Sequence, residues 1–212
     1  YLIIDKRDES TNEIIEYEIK QVRKHMKLPS PVLALTLHPN QKEIICGLRN
    51  GDLIKLPIRK DGSFSKFERK IRNVLEIAVS PEGELVALIT KDFLVEWNLL
   101  HSSQSRKLRA PTLLSSFDIT IDGKFAVLGC DDGRIILIDY EELKHAGNIN
   151  IGDGKIFNIL CTPEGRHIAL LTDNRNLKLI SLTTRKEVAN LHIPGELPNT
   201  FETGEEGRYI IG

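Results

Sequence analysis

The sequence predicts an all-β protein: a β-propeller of four-stranded antiparallel blades, present as a partial arc of a larger ring. Three observations predict it. A tight turn recurs at Gln41, Gly83, Gly123, Gly165 and Gly207, at intervals of 42, 40, 42 and 42 residues. A period of about 40–45 residues with several strands per unit is that of propeller blades. Within each interval lie three apolar runs of strand length, separated by turn-forming residues. The pattern is clearest in Phe117–Tyr140, FDITIDGKFAVLGCDDGRIILIDY, where Asp122-Gly123 and Asp131-Asp132-Gly133 split the runs. Glycine supplies the positive φ that such hairpin turns require. One three-stranded meander buries too little to stand alone, so the copies must pack on one another.

Taken in order, residues 1–30 form a partial blade, with Tyr1–Asp5 and Glu13–Ile19 as its second and third strands around a polar loop, Lys6–Asn12. Full blades follow over 31–72, 73–112, 113–154 and 155–196, and 197–212 is a truncated one. Their first (a) strands are Val32–His38, Val74–Ser80, Leu114–Thr120 and Ile156–Thr162. The second (b) strands are Glu43–Leu48, Leu85–Thr90, Lys124–Cys130 and His167–Thr172, and the third (c) strands Asp52–Ile58, Phe93–Leu99, Arg134–Tyr140 and Asn176–Leu182. Near-continuous apolar runs such as LVALIT suit strands buried on both faces. The polar, basic stretch before each next unit is expected to be a fourth (d) strand at the rim. Arg208–Gly212 reads as another b strand. Both ends then supply a b strand and cannot merge into one blade, hence an arc; a small ring closed by an unusual overlap is the alternative.

Composition narrows the function. The chain has 212 residues, 41% hydrophobic and 28% charged, with a net charge of −1, which gives no global pull toward nucleic acid or membrane. No apolar run approaches the roughly 20 residues of a membrane-spanning helix, and no signal-peptide pattern opens the chain. Cys46, Cys130 and Cys161 are far apart and flanked by apolar residues, so buried reduced thiols are expected rather than disulfides or a metal site. With no Asn-x-Ser/Thr sequon, this points to an intracellular, reducing location, cytoplasmic in the first instance with the nucleus as the alternative.

Motifs that could carry chemistry reduce to turns. Gly147–Lys155, GNINIGDGK, lacks the Lys directly after the second Gly and the Ser/Thr of a phosphate loop. Asp131-Asp132-Gly133 lacks the alternating oxygen ligands of a calcium loop. The six histidines have no ligand spacing, and His38, before Pro39, reads as a turn residue. No catalytic residue, metal or cofactor is therefore expected.

The chain resembles the WD40-repeat family over essentially its whole length. The resemblance rests on the turns SPEG (Ser80–Gly83), TIDG (Thr120–Gly123) and TPEG (Thr162–Gly165), on VEWNL (Val95–Leu99) where the family has VWDL, and on Asn50, Asp132 and Asn174 at the family's b–c turn Asp. In the second unit that position falls to Lys91 or Asp92. The Gly-His pair before strand a is missing; Leu28, Lys70, Ala110 and Gly152 stand there. The family's buried Asp–His–Ser/Thr–Trp network therefore cannot form, and these blades are expected to be held mainly by apolar packing.

The resemblance implies a non-catalytic protein–protein interaction scaffold within a multi-subunit assembly, with b–c and d–a loops together on one face. The candidate contact residues are Arg49, Asn50, Lys91, Asp92, Asp131, Asp132, Asp173, Asn174 and Arg175 from b–c loops, and Arg72, Asn73, Asp153 and Lys155 from the d–a side. A second candidate is a basic rim on successive d strands: Arg23, Lys24 and Lys27; Arg69 and Lys70; Arg106, Lys107 and Arg109. It would suit an acidic segment, or simply guard exposed edge strands. Without interleaved aromatics it is not a dedicated nucleic-acid surface. The partners are other proteins or other domains of the same chain, since a propeller can also regulate its own polypeptide, as in nucleotide-switch ATPases. An enzyme on a propeller scaffold is a third reading. Strand a, read as apolar from ALTLH, IAVS and ILCT, argues against it.

Overall fold

A computed structural model describes residues 2–7, 14–20, 27–58, 64–71, 73–83, 85–90, 93–98, 105–196, 202–203 and 210–211, with side chains at 27–58, 64–67, 71, 73–83, 89–90 and 106–196. The described elements are all β-strands and turns, with no helix among them. Four antiparallel four-stranded sheets follow one another along the chain. The first is β3 (Val32–Leu37), β4 (Glu43–Leu48), β5 (Asp52–Pro57) and β6 (Ser65–Lys70). The second is β7 (Glu76–Val79), β8 (Leu85–Ile89), β9 (Phe93–Asn98) and β10 (Ser105–Arg109). The third is β11 (Leu114–Ile119), β12 (Phe125–Cys130), β13 (Arg134–Asp139) and β14 (Lys144–Asn150). The fourth is β15 (Ile156–Cys161), β16 (His167–Thr172), β17 (Asn176–Ser181) and β18 (Glu187–His192). Each is a meander in sequence order. Two-stranded pairs flank them, β1 (Leu2–Arg7) with β2 (Ile14–Lys20), and β19 (Glu202–Thr203) with β20 (Ile210–Ile211). The fourth strand read only from polarity is present in every sheet. The expected β7 start at Val74 moves to Glu76, and β1 continues through Lys6 and Arg7, which were expected to lie in a loop.

The recurring turn has one geometry. The amide at Gln41, Gly83, Gly123 and Gly165 donates to the carbonyl three residues earlier, at His38, Ser80, Thr120 and Thr162, over 2.8 Å each. All four have positive φ: 55°, 76°, 67° and 70°. Gln41 is the one with a side chain, and an L-residue there carries a steric cost of about 1–2 kcal/mol. Gln41→Gly relieves it and gives back part through a looser unfolded chain. A net gain of about 0.5 kcal/mol in urea-unfolding stability is expected; a loss would show that the exposed Gln41 side chain contributes something the turn geometry does not reveal.

The core lies between sheets. Ile89, Ala78 and Leu108 from the second sheet cluster with Phe117, Ala126, Leu128 and Ile138 of the third. The opposite face of the third, Val127, Ile135 and Leu137, packs on Ile156, Ile159, Ile168 and Leu170 of the fourth. The third sheet is thus covered on both faces, which is why its runs FAVLGC and RIILID lack alternation. The a strands adjoin from sheet to sheet: β3 with β7, β7 with β11, β11 with β15. Close approach needs a bare backbone at Gly129, where a methyl would lie 2.7 Å from Ile156 Cγ2.

The apolar reading of strand a needs correction in β7 and β11. The Glu76 carboxylate accepts the Phe117 amide (2.5 Å) and the Ser116 hydroxyl (3.3 Å). Ser116 Oγ accepts the Ile159 amide (3.1 Å), and Asp118 Oδ2 the Cys161 amide (2.7 Å). These side chains satisfy edge amides of the neighbouring a strand, which would otherwise be costly inside the array. Ser115, the extra residue of a β-bulge, donates to the carbonyls of Ile156 (2.6 Å) and Gly129 (3.1 Å). Across the turns, a His38 ring nitrogen lies 3.0 Å from the Gly83 carbonyl oxygen. His38 is thus a turn residue, as expected, that also ties two sheets.

Candidate functional site

The b–c and d–a loops of a sheet are joined by backbone bonds. The amides of Arg49, Asp131 and Asp173 donate to the carbonyls of Pro31, Leu113 and Lys155, just before or at the start of strand a. From the other side, the amides of Ile71, Ile151 and Ile193, just after strand d, donate to the carbonyls of Gly51, Gly133 and Arg175. Each of these three b–c turns is therefore clamped between the end of one strand and the approach to another. Its reversal comes from positive φ at Gly51 (89°), Gly133 (77°) and Arg175 (63°). Asn50 and Asp132 accept the amide two residues on, from Asp52 (3.0 Å) and Arg134 (3.2 Å), the local bonding that suits Asn and Asp to turns. Between the third and fourth sheets the loops touch. Lys155 Nζ lies 2.9 Å from Asp131 Oδ1, and a methyl at Gly133 would fall 2.5 Å from the Gly154 carbonyl oxygen.

Much of the charge on this face is internally matched. Arg134 donates from Nε and Nη2 to Asp132 Oδ2, at 2.8 and 2.6 Å. Those bonds hold the Asp132 carboxyl below the usual carboxylate range against its partial burial. Asp153 is the hub of the fourth sheet. It accepts from Asn174 (2.9 Å) and Asn176 (2.8 Å), lies 3.3 Å from Lys178 Nζ and 3.4 Å from Thr172 Oγ1. Burial pushes its carboxyl upward, but the bonds from Asn174, Asn176 and Lys178 outweigh that and leave it lowered. Lys178, 7% exposed, also meets Glu187 at 2.7 Å. Its burial would lower its pKa, yet the two carboxylates raise it. In the first sheet, buried Asp52 takes bonds from Asn50 (2.9 Å) and Lys66 (3.0 Å).

Of the candidate contact residues, Arg49, Asn50, Asn73, Asp131, Asp132, Asp153, Lys155, Asp173, Asn174 and Arg175 are described. Arg72, Lys91 and Asp92 lie outside the described residues. Asp153 and Asn174 are structural ties, Asp173 accepts the Lys155 amide (2.9 Å), and Arg175 donates to the Gly195 carbonyl (3.1 Å). Arg49 and Asn73 are exposed. Sequence reasoning missed Lys178, Asp52, Glu76 and Asp118. The available signal was a charge inside an apolar strand run, as at Lys178 in NLKLIS.

Of the basic rim, Arg69 and Lys70 fall on β6 and Arg106, Lys107 and Arg109 on β10, each strand the edge of its sheet. Arg106 Nη1 donates to the Glu141 carbonyl of the next sheet (2.7 Å), while Lys27, Lys107 and Arg109 are exposed. Only the backbone of Arg69 and Lys70 is described, and Arg23 and Lys24 lie outside the described residues. The three thiols are free. Burial pushes Cys130 up to about 12 and raises Cys46 and Cys161, which makes them poor nucleophiles. No group of metal-ligating residues occurs among the described residues, nor any helix long and apolar enough to cross a membrane.

No family model matches the chain, and no curated protein matches it. Solved structures do: 1613 chains match, so the likeness marks a widely used architecture and selects no single function. One is hydrazine synthase from Kuenenia stuttgartiensis, with a TM-score of 0.73 at 16% identity over 90% of this chain. The match spans 58% of that chain. At this identity it shows the fold alone.

Proposed function

We propose that the chain is a partial arc of a WD40-like β-propeller acting as a non-catalytic protein-binding scaffold in a multi-subunit assembly. The observation that carries the reading is the bracing of the b–c loops against the d–a segments in the first, third and fourth sheets, which makes that end of each a pre-ordered, polar platform. A platform whose loops are ordered before binding loses less conformational freedom on association. The arc is supported by burial. Ile77, Phe117 and Ile159 are 5%, 3% and 1% exposed beneath the preceding sheet, whereas Leu35, their equivalent in the first sheet, is 62% exposed. At the other end Leu191 is 62% exposed where Ile149 is 6%. The first and fourth sheets thus offer faces that the second and third bury, which suits a blade packed on either side of the four. The buried free thiols suit a reducing compartment.

The test uses the exposed part of the platform. Arg49→Glu should cut recovery of co-purifying partners about tenfold, a loss of about 1.4 kcal/mol, with the thermal transition unchanged. Unchanged recovery of every partner would remove the loop face as the binding surface.

A further inference from the structure

The repeat is its own control, and the two junctions described at one end of the sheets differ. At the end of the sheets opposite the loop face, Tyr140 (3% exposed) and Leu143 (8%) fill the space between the second and third sheets. Forty-two residues on, Leu182 and Arg185 occupy those positions between the third and fourth. The backbone is the same, with φ of 52° at Leu143 and 57° at Arg185. A smaller side chain and a cation in place of a buried tyrosine and leucine leave a groove of about 240 Å³.

Its floor is Phe125, Leu137 and Leu182, and its rim carries Lys124, Thr183 and Arg185. Arg185 is seated on bare backbone: a methyl at Gly147 would lie 2.6 Å from its Nη1. Nη2 donates to the Ala146 carbonyl at a long 3.4 Å, leaving most guanidinium donors without a partner among the described residues. Asp122 also lines the groove, but its carboxylate is spent on the Thr120 hydroxyl (2.7 Å), the Lys124 amide (3.1 Å) and the Lys124 ammonium (3.5 Å). Two cations against one carboxylate leave a single positive surplus above an apolar floor.

We infer that this groove binds a carboxylate on a short apolar stem, anchored by Arg185. A guanidinium meets a carboxylate through two parallel charge-assisted bonds, Lys124 adds a second charge, and Thr183 offers a hydroxyl. The volume is below the roughly 300–1,000 Å³ of drug-sized pockets and suits one side chain or a small acid. The ligand is a free organic acid or the apolar C-terminal residue of a peptide.

The experiment is an NMR titration of the full chain with sodium hexanoate and with N-acetyl-Ala-Leu, as free acid and as amide. Saturable shifts at Thr183, Gly165 and the Arg185 side chain are expected with the acids. Arg185→Leu and Leu182→Tyr restore the residues of the neighbouring junction, and each should weaken binding about tenfold or more, the order of one lost charge-assisted pair, without altering the melting transition. Tighter binding of the dipeptide acid assigns a chain terminus, and hexanoate binding as tightly assigns a free acid. Absence of saturation by either acid, equal binding of the amide, or undiminished binding in Arg185→Leu would overturn the inference. Neither variant touches the loop face, so the scaffold reading and this one fail separately.

Discussion

Gly133→Ala is expected to lower stability by about 3 kcal/mol. Two causes add. The residue has a φ of 77°, a conformation that costs an L-residue about 1–2 kcal/mol. The new methyl would also lie 2.5 Å from the Gly154 carbonyl oxygen, and overpacking of this kind costs about 1–3 kcal/mol. A backbone oxygen cannot swing aside as a side chain does, so the third and fourth sheets must separate at their loop ends. For a chain of this size the melting temperature should fall by about 6–12 °C. Gly152→Ala is the control: φ is 61° there, with nothing within 4 Å of the added carbon. It should cost only the conformational part, about 1 kcal/mol. Equal losses in the two variants, read by urea unfolding, would show that the contact between the loops contributes nothing.

Asp153→Ala is expected to cost about 3 kcal/mol, because it strips a buried lysine of one of its two carboxylates. Lys178 keeps Glu187 at 2.7 Å, a carboxylate 43% exposed and so screened by solvent, while Asn174 and Asn176 lose their shared acceptor. Removing the charge from both sides should do less harm: the double variant Asp153→Asn with Lys178→Met should lie within about 1 kcal/mol of wild type, as well-packed replacements of buried ion pairs commonly do. A double variant worse than Asp153→Ala would mean that the charges themselves hold the loop. The pH dependence has a definite sign. The Asp153 carboxyl is lowered in the fold from an ordinary 3.8, so its contribution is present above that value and fades as pH falls through the folded pKa. Lys178 is raised from 10.5, so its contribution is present below that value and fades as pH rises through the folded one. Asp153→Asn should therefore flatten the acid limb of a stability–pH curve.

The turns were legible because they rest on local chemistry. Spacing alone located Gln41 as the sidechain-bearing member of a glycine series, and its φ of 55° agrees. Strand ends were nearly as plain: Glu43–Leu48 and His167–Thr172 are as read. The edge strands were visible only as polarity. The function stayed largely out of reach, since loop charges such as Arg49 look the same in sequence whether they face solvent or a partner.

What the sequence by itself determined is the repeat: strand order, turn geometry and the meander within each sheet, all set by contacts between residues near in the chain. Only the tertiary structure decided how the repeats hold together and where they differ. Glu76 meets Phe117, and Ser116 meets Ile159, across about one full repeat, a distance at which no local propensity acts. Asp153 stood in the sequence as a loop acid, and the fold makes it the partner of a lysine buried in β17. The groove at Arg185 has the same origin. Tyr140 and Leu182, Leu143 and Arg185 are unremarkable pairs in a list of residues, and only packing against the preceding sheet turns their difference in volume and charge into an open, positively charged space.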